Sequence, residues 1–178
     1  MKLTKIGAAL VLTFGMSAAA MASNTITFNG EVLETGCTIT VDGGTPDATV
    51  ELGSVAATDL VAKGDLGAPK QFVFNLDQCP TASNVNIVFS APVDPVAGDD
   101  SYFANTASGV GVTAAQNVAV QLKQGGSNGT IVKNNADNDP ITLDSGSATE
   151  TYTASMIAVD QAVAGTVQSV VTYNVPYN

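Results

Sequence analysis

The side chains that could do chemistry in this sequence are two close pairs of carboxylates and two cysteines. Asp99–Asp100 and Asp137–Asp139 are the closest acidic pairs, and two carboxylates flanking one bond are the catalytic groups of most glycosidases. Each pair, however, lies in a stretch rich in glycine or asparagine, where aspartate commonly stabilises turns. The spacing of a calcium-binding EF-hand loop, with its glycine and closing glutamate, is also missing. We therefore predict solvated loops at both pairs.

Histidine is absent from all 178 residues. The chain therefore lacks the usual general base and cannot build a serine–histidine–aspartate triad. The glycine-rich stretch 125–129 has no following lysine, so it is expected to form a hairpin turn rather than a phosphate-binding loop. The sequence predicts a protein that is not an enzyme and that holds no metal or cofactor.

Residues 1–22 have the pattern of a secretory signal peptide. Two lysines precede an apolar run over about residues 6–14, and Ala20-Met21-Ala22 fits a small-x-small cleavage site. Cleavage is expected after Ala22, with the two nearest alanines before it as alternatives. A membrane anchor is the other interpretation, but the apolar run is shorter than the roughly 20 residues that span a bilayer. Residues 23–178 are then a single exported domain.

The only two cysteines, Cys37 and Cys79, both lie in the exported part. Because an oxidising compartment favours disulfides, they are predicted to bond to each other. A bridge closing a loop of this length stabilises by roughly 4 kcal/mol in the chain-entropy model. Free or metal-binding thiols are the alternative, although two thiols without a histidine make a poor zinc site.

The exported part is strongly acidic. It carries four lysines against sixteen acidic residues, a net charge of −12, and it has no arginine. Because such a chain repels phosphate backbones, nucleic acid is not expected as a partner.

Apolar and polar residues alternate in short runs along the exported part, which is typical of β-strands with one buried face. Glycine, asparagine, aspartate and proline cluster between these runs as turn signals. The stretch 56–69 has room for one short helical turn. Eight or so strands with such punctuation predict an antiparallel β-sandwich. The predicted strands are 25–32, 37–41, 48–52, 71–77, 85–90, 117–123, 151–159 and about 167–177.

The last predicted strand runs to the end of the chain. Val171, Tyr173, Val175 and Tyr177 share one parity, and polar residues dominate the other. Terminal residues tend to fray unless they are tied down, so this strand needs something to cover its apolar face. We expect the tyrosine parity to be the covered one.

Four features together resemble the pilin subunits of bacterial chaperone–usher fimbriae, of the type 1 and type 3 major-subunit kind. "ITFNGEVLETGCTI" is a strand that runs into Cys37, and "FVFNLDQCP" is a strand that ends at Cys79. Gly165 is the fourteenth residue from the end and Tyr177 is the penultimate one. The fourth feature is export with a single bridge. The resemblance covers essentially the whole exported chain.

The resemblance implies an incomplete immunoglobulin-like β-sandwich that lacks its last strand. An open groove then borders the C-terminal strand at Gly165, Val171, Tyr173, Val175 and Tyr177. In this family a periplasmic chaperone lends a strand to the groove, and the N-terminal segment of the next subunit later replaces it, which is β-augmentation between chains. The expected partners are this chaperone, an outer-membrane usher and neighbouring pilin subunits in a homopolymer. The resemblance thus implies a structural subunit of a surface fimbrium, exported through the periplasm and serving cell adhesion.

The donor segment is expected at Ile26, Phe28 and Gly30. Cleavage after Ala22 leaves only two residues before the first predicted strand, which is shorter than the family pattern. An earlier cleavage site, a first strand that detaches to become the donor, or a terminal subunit that donates no strand would each account for this.

The alternative function is a minor or terminal pilin, or an adhesin-type carbohydrate-binding module on the same fold. Sugar sites usually need an aromatic platform, but tryptophan is absent and Tyr102–Phe103 is the only adjacent aromatic pair in a loop-like region. A secreted hydrolase is disfavoured by the missing histidine.

Overall fold

A computed structural model describes residues 36–80 and 84–176, and these residues form an all-β fold. The predicted signal peptide, the donor candidates Ile26, Phe28 and Gly30, and the penultimate Tyr177 lie outside them. Within the described ranges there are ten strands and one 3₁₀ turn at Ala57–Asp59, and no helix there has the length and hydrophobicity to cross a bilayer. The strands are β1 (Thr38–Val41), β2 (Lys70–Asp77), β3 (Asn84–Val85), β4 (Val88–Ser90), β5 (Phe103–Ala104), β6 (Gln116–Gln124), β7 (Thr130–Ile131), β8 (Ile141–Thr142), β9 (Ala148–Val163) and β10 (Thr172–Asn174).

The main sheet has the strand order β1-β2-β9-β6-β5, and β7 also pairs with β6. All of these neighbours are antiparallel. Two smaller antiparallel pairs, β10 with β4 and β3 with β8, pack against the same core. β9 lies at the centre of the main sheet and is its longest strand, with 16 residues.

The core lies between the main sheet and the two smaller pairs, and aromatic rings fill its centre. The ring of Tyr152 lies 5.4 Å from that of Phe74 and 5.2 Å from that of Phe89, measured between centroids, and both contacts are edge-to-face. Such rings bury more apolar area than any other side chain. The remaining buried members of this core are Val41, Phe72, Leu76, Val85, Ile87, Phe103, Val120, Leu122, Val132, Ile141 and Ala154.

The alternation in the sequence predicts strands correctly where a partner strand exists in the chain. The predictions for 37–41, 71–77, 117–123 and 151–159 correspond to β1, β2, β6 and β9. The prediction for 85–90 is divided between β3 and β4, because the first half pairs with β8 and the second half with β10.

Two strand predictions are wrong in part for one physical reason. No paired strand forms at 48–52, and only Thr172–Asn174 of the predicted 167–177 is paired as a strand. The side chains over 49–52 and 167–175 still alternate between half-buried and exposed. What is missing is a partner for the backbone, and these two stretches lie on opposite sides of a groove.

Candidate functional site

An open groove runs along the core between two chain segments, 46–55 and 163–173, which we call its two walls. Its volume of about 1370 Å³ exceeds the roughly 300–1,000 Å³ of typical small-molecule pockets. The floor consists of apolar side chains of the main sheet, including Phe72, Leu122 and Met156. The groove therefore has the size and the chemistry to hold an extended peptide.

The wall 163–173 is bonded along one edge only. The N–H of Thr166 donates to the carbonyl of Thr113 over 2.8 Å, and the N–H of Thr106 donates to the carbonyl of Gln168 over 2.7 Å. Backbone groups of an extended chain point to opposite edges at alternate residues, so those of the odd-numbered residues point the other way. Among the described residues, the backbone groups of Val167, Ser169 and Val171 have no hydrogen-bond partner.

The wall 46–55 has even fewer backbone bonds. Within the described part of the chain, no backbone group of residues 48–55 takes part in a hydrogen bond. The side chains of Val50 and Leu52 are nevertheless half-buried against the core, whereas Thr49 and Glu51 are exposed. This wall is thus an extended segment with its apolar face inward and its backbone available for pairing.

Tyr173 joins the two walls at one end of the groove. Its hydroxyl donates to the carbonyl oxygen of Pro46 over 2.9 Å, and its ring lies edge-on to Phe74 at 4.9 Å between centroids. Burial, followed by the negative charge of Asp47, raises the pKa of Tyr173 above its usual value. The phenol therefore stays protonated at neutral pH and can donate this bond.

The C-terminal side chains alternate between half-buried and exposed, as the sequence predicts. Val171, Tyr173 and Val175 are half-buried and pack against the core, whereas Thr172 and Asn174 are exposed. Val171 and Tyr173 also line the groove. A role of these residues in binding a partner strand stays a prediction.

Gly165 lies where the backbone of the wall 163–173 runs parallel to the stretch 113–115 and very close to it. A Cβ atom at this position would lie 2.6 Å from the carbonyl carbon of Ala114 and 2.7 Å from the carbonyl oxygen of Thr113. Such distances are too short for any side chain, so the close approach requires glycine. In the sequence, Gly165 is selected only by its distance from the chain end. The close backbone contact explains why a glycine is needed at this position.

Cys37 and Cys79 form the predicted disulfide. It links the residue before β1 to the residues just after β2, and these two strands are paired in register from Thr38 with Asp77. The predicted bridge is confirmed, and it fastens the edge of the main sheet.

The carboxylate pairs lie in loops, as the sequence indicates. The hydroxyl and the N–H of Ser101 both donate to Asp99, over 2.7 and 2.9 Å, and these bonds hold the pKa of that carboxyl below its usual value. Asp100 forms an exposed ion pair with Lys133 at 3.5 Å. Asp137 and Asp139 are exposed, and no group of acidic or cysteine side chains among the described residues could hold a metal ion.

The aromatic pair considered as a sugar platform is covered. Phe103 is fully buried and Tyr102 is only 9% exposed. The ammonium of Lys63 lies 5.9 Å from the centre of the Tyr102 ring. A flat exposed ring for stacking against a sugar is therefore not available at this pair.

Sequence reasoning missed the wall 46–55 as part of the site, although Ala48, Val50 and Leu52 gave a signal. Their alternation was assigned to an ordinary paired strand. A paired strand and an unpaired wall differ only in whether the backbone has a hydrogen-bonding partner. A local sequence pattern carries no information about that partner.

Relatives of this chain support one family. A family model described as fimbrial protein matches residues 26–178. The major fimbrial subunit SMF-1 of Stenotrophomonas maltophilia is 35% identical over 170 residues, covering 90% of this chain and 96% of that protein. The laminin-binding fimbrial subunit ElfA of Escherichia coli O157:H7 is 30% identical over 159 residues, covering 89% of this chain and 86% of that protein.

A solved structure of a chaperone–usher pilus contains a chain with a similar fold. The TM-score is 0.63 at 21% identity, over 89% of this chain and 97% of the other. The likeness confirms the predicted fold class, an all-β, incomplete immunoglobulin-like sandwich with one disulfide. The family match, the near full-length relatives and the shared fold agree, and the chain belongs to the fimbrial protein family.

Proposed function

We propose that this chain is a structural subunit of a surface fimbrium and that its groove accepts one β-strand from another polypeptide. The observation that carries the proposal is an apolar floor between two walls whose facing backbone groups have no partner among the described residues. A strand between the walls pairs with both of them and covers the floor, which is β-augmentation. Left open, an unpaired edge beside exposed apolar surface promotes aggregation.

The final occupant of the groove is the N-terminal segment of a neighbouring copy. In this donor segment Ile26 and Phe28 face the floor, and Gly30 follows them with the same parity. Residues 25–32 alternate in the way that a strand with one buried face requires. This supports a polymer in which each copy completes the next.

Before assembly, a periplasmic chaperone lends the strand and an outer-membrane usher receives the subunit. The signal-peptide pattern of residues 1–22 supports export through the periplasm. Binding, rather than catalysis, is then the activity of the molecule. Its relatives are themselves named as fimbrial subunits.

The test uses residues 23–178 and a synthetic peptide of residues 23–33. The subunit alone is expected to aggregate or to melt at low temperature, and the peptide is expected to raise its melting temperature. A ligand at one hundred times its dissociation constant stabilises by about 2.7 kcal/mol, which circular dichroism detects easily.

The control peptide carries asparagine in place of Ile26 and Phe28, which removes the apolar side chains and keeps the backbone. It is expected to leave the melting temperature unchanged. A subunit that is a stable, cooperative monomer and that ignores both peptides would contradict strand insertion.

A further inference from the structure

Apart from Tyr173, whose hydroxyl is bonded to Pro46, Ser169 is the one polar residue of the groove lining, within the described part of the chain, that is not exposed to solvent. Its hydroxyl oxygen is buried and has no hydrogen-bond partner among the described residues. The other polar residues of the lining, such as Thr166 and Gln168, are exposed, so water satisfies them. A buried hydroxyl without a partner is unfavourable, which sets Ser169 apart from the apolar surface around it.

Ser169 stands in a row of apolar side chains. Val167 and Val171 share its parity and are half-buried against the core. The backbone groups of these three residues have no partner in the described ranges. A strand inserted here therefore lies directly beside Ser169, where opposed side chains have their Cβ atoms about 4.5–5.5 Å apart.

We propose that Ser169 sets the register of the inserted strand through a hydrogen bond to an uncharged polar side chain of that strand. The inference rests on the strand insertion proposed above. An apolar groove alone discriminates poorly against a slip by two residues, because such a slip keeps the same face inward. A buried hydroxyl adds this discrimination, since every register that places an apolar side chain beside it leaves the hydroxyl unpartnered in a closed groove.

Asn24 of a neighbouring copy is the partner side chain. It shares parity with Ile26 and Phe28, whereas Thr25 has the opposite parity. Its amide both donates and accepts hydrogen bonds, and it can be buried without the desolvation of a charge. The apolar face of the segment therefore carries one hydrogen-bonding side chain at its start, matching the one hydroxyl in the inward row of the wall that has no partner among the described residues.

A double-mutant cycle tests the pairing. The affinity of residues 23–178 for the peptide of residues 23–33 is measured by titration calorimetry with Ser169 or Ser169→Ala in the subunit and Asn24 or Asn24→Ala in the peptide. Asn24→Ala is expected to weaken binding to the unmodified subunit about tenfold, and binding to Ser169→Ala less than about twofold. Thr25→Ala in the peptide is the matched control and is expected to affect both subunits equally.

Equal weakening of both subunits by Asn24→Ala overturns the register role of Ser169 and leaves strand insertion intact. Failure of the unmodified peptide to bind either subunit contradicts strand insertion itself, and the register role falls with it. Ser169→Ala removes an unpartnered hydroxyl, so circular dichroism should show a fold at least as stable as the original. Ser169→Thr keeps the hydroxyl and is expected to keep the dependence on Asn24.

Discussion

The hydroxyl of Tyr173 donates a hydrogen bond over 2.9 Å to the carbonyl oxygen of Pro46, and this bond ties the two walls of the groove together. The two residues are 127 positions apart in the sequence. The Tyr173 ring also packs on Phe74 of the floor. One side chain thus connects both walls and the floor of the groove.

Tyr173→Phe keeps the ring contact and removes the bond to Pro46. We expect the free energy of unfolding to fall by about 1 kcal/mol, the usual net value of one hydrogen bond. Urea denaturation of the peptide-bound subunit measures this. Tyr102→Phe is the control, because the Tyr102 hydroxyl makes no hydrogen bond within the described part of the chain, and a loss of the same size there would contradict the role of Pro46.

Gly165→Ala should disturb the close parallel approach of the wall 163–173 to the stretch 113–115. The added Cβ meets backbone atoms that cannot rotate away, so we expect a loss of stability of at least about 2 kcal/mol. Thermal melting checks this. Gly44→Ala is the matched control, because its Cβ would meet only the carbonyl oxygen of Val41 at 3.4 Å. Equal shifts of the melting temperature for both variants would count against the role of the close approach at Gly165.

Tyr152→Phe tests the buried phenol at the centre of the core. The Tyr152 hydroxyl has no partner among the described residues, and burial, more than the nearby carboxylates, raises its pKa far above the ordinary value. A raised folded-state pKa gives stability that is complete below about pH 10, the unfolded value, and is lost as the pH rises further.

The variant lacks this ionisable group. We expect it to be no less stable at pH 7 and to unfold at a higher pH than the original chain in an alkaline titration followed by circular dichroism. An unchanged alkaline midpoint would show that Tyr152 does not limit stability there.

Glu150→Gln tests a half-buried carboxyl near the start of β9. Burial raises the pKa of Glu150, and Asp139 raises it further. The favourable contribution of the protonated form is therefore present below about pH 4.3, the unfolded value, and is lost as the pH rises. The variant should have a higher melting temperature at pH 7 and no advantage at pH 3, whereas Glu51→Gln, at an exposed position, should change neither.

Much of the fold could be predicted from the local sequence pattern, because the burial of one strand face requires apolar and polar residues to alternate. The alternation around Phe72 and Phe74 gives β2, and the export pattern with two cysteines gives the Cys37–Cys79 bridge. The half-buried parity of Val171 and Tyr173 follows from the same rule.

The groove could not be predicted in the same way, because its defining property is a backbone without a partner. Alternation at Val50 and Leu52 predicts an inward face, and it is equally compatible with a paired and an unpaired strand. The contact at Gly165 and the isolation of the Ser169 hydroxyl depend on segments far away in sequence. Only the three-dimensional arrangement brings those segments together.

The proposed strand insertion has a consequence for how a joined pair of subunits would respond to force. A strand seated between 46–55 and 163–173 would be bonded along both edges, and such bonds run across the length of the strand. Tension along the strand would then load all of these hydrogen bonds in shear at once, instead of breaking them one after another. A junction of this kind would resist pulling as a unit, without any covalent link between copies.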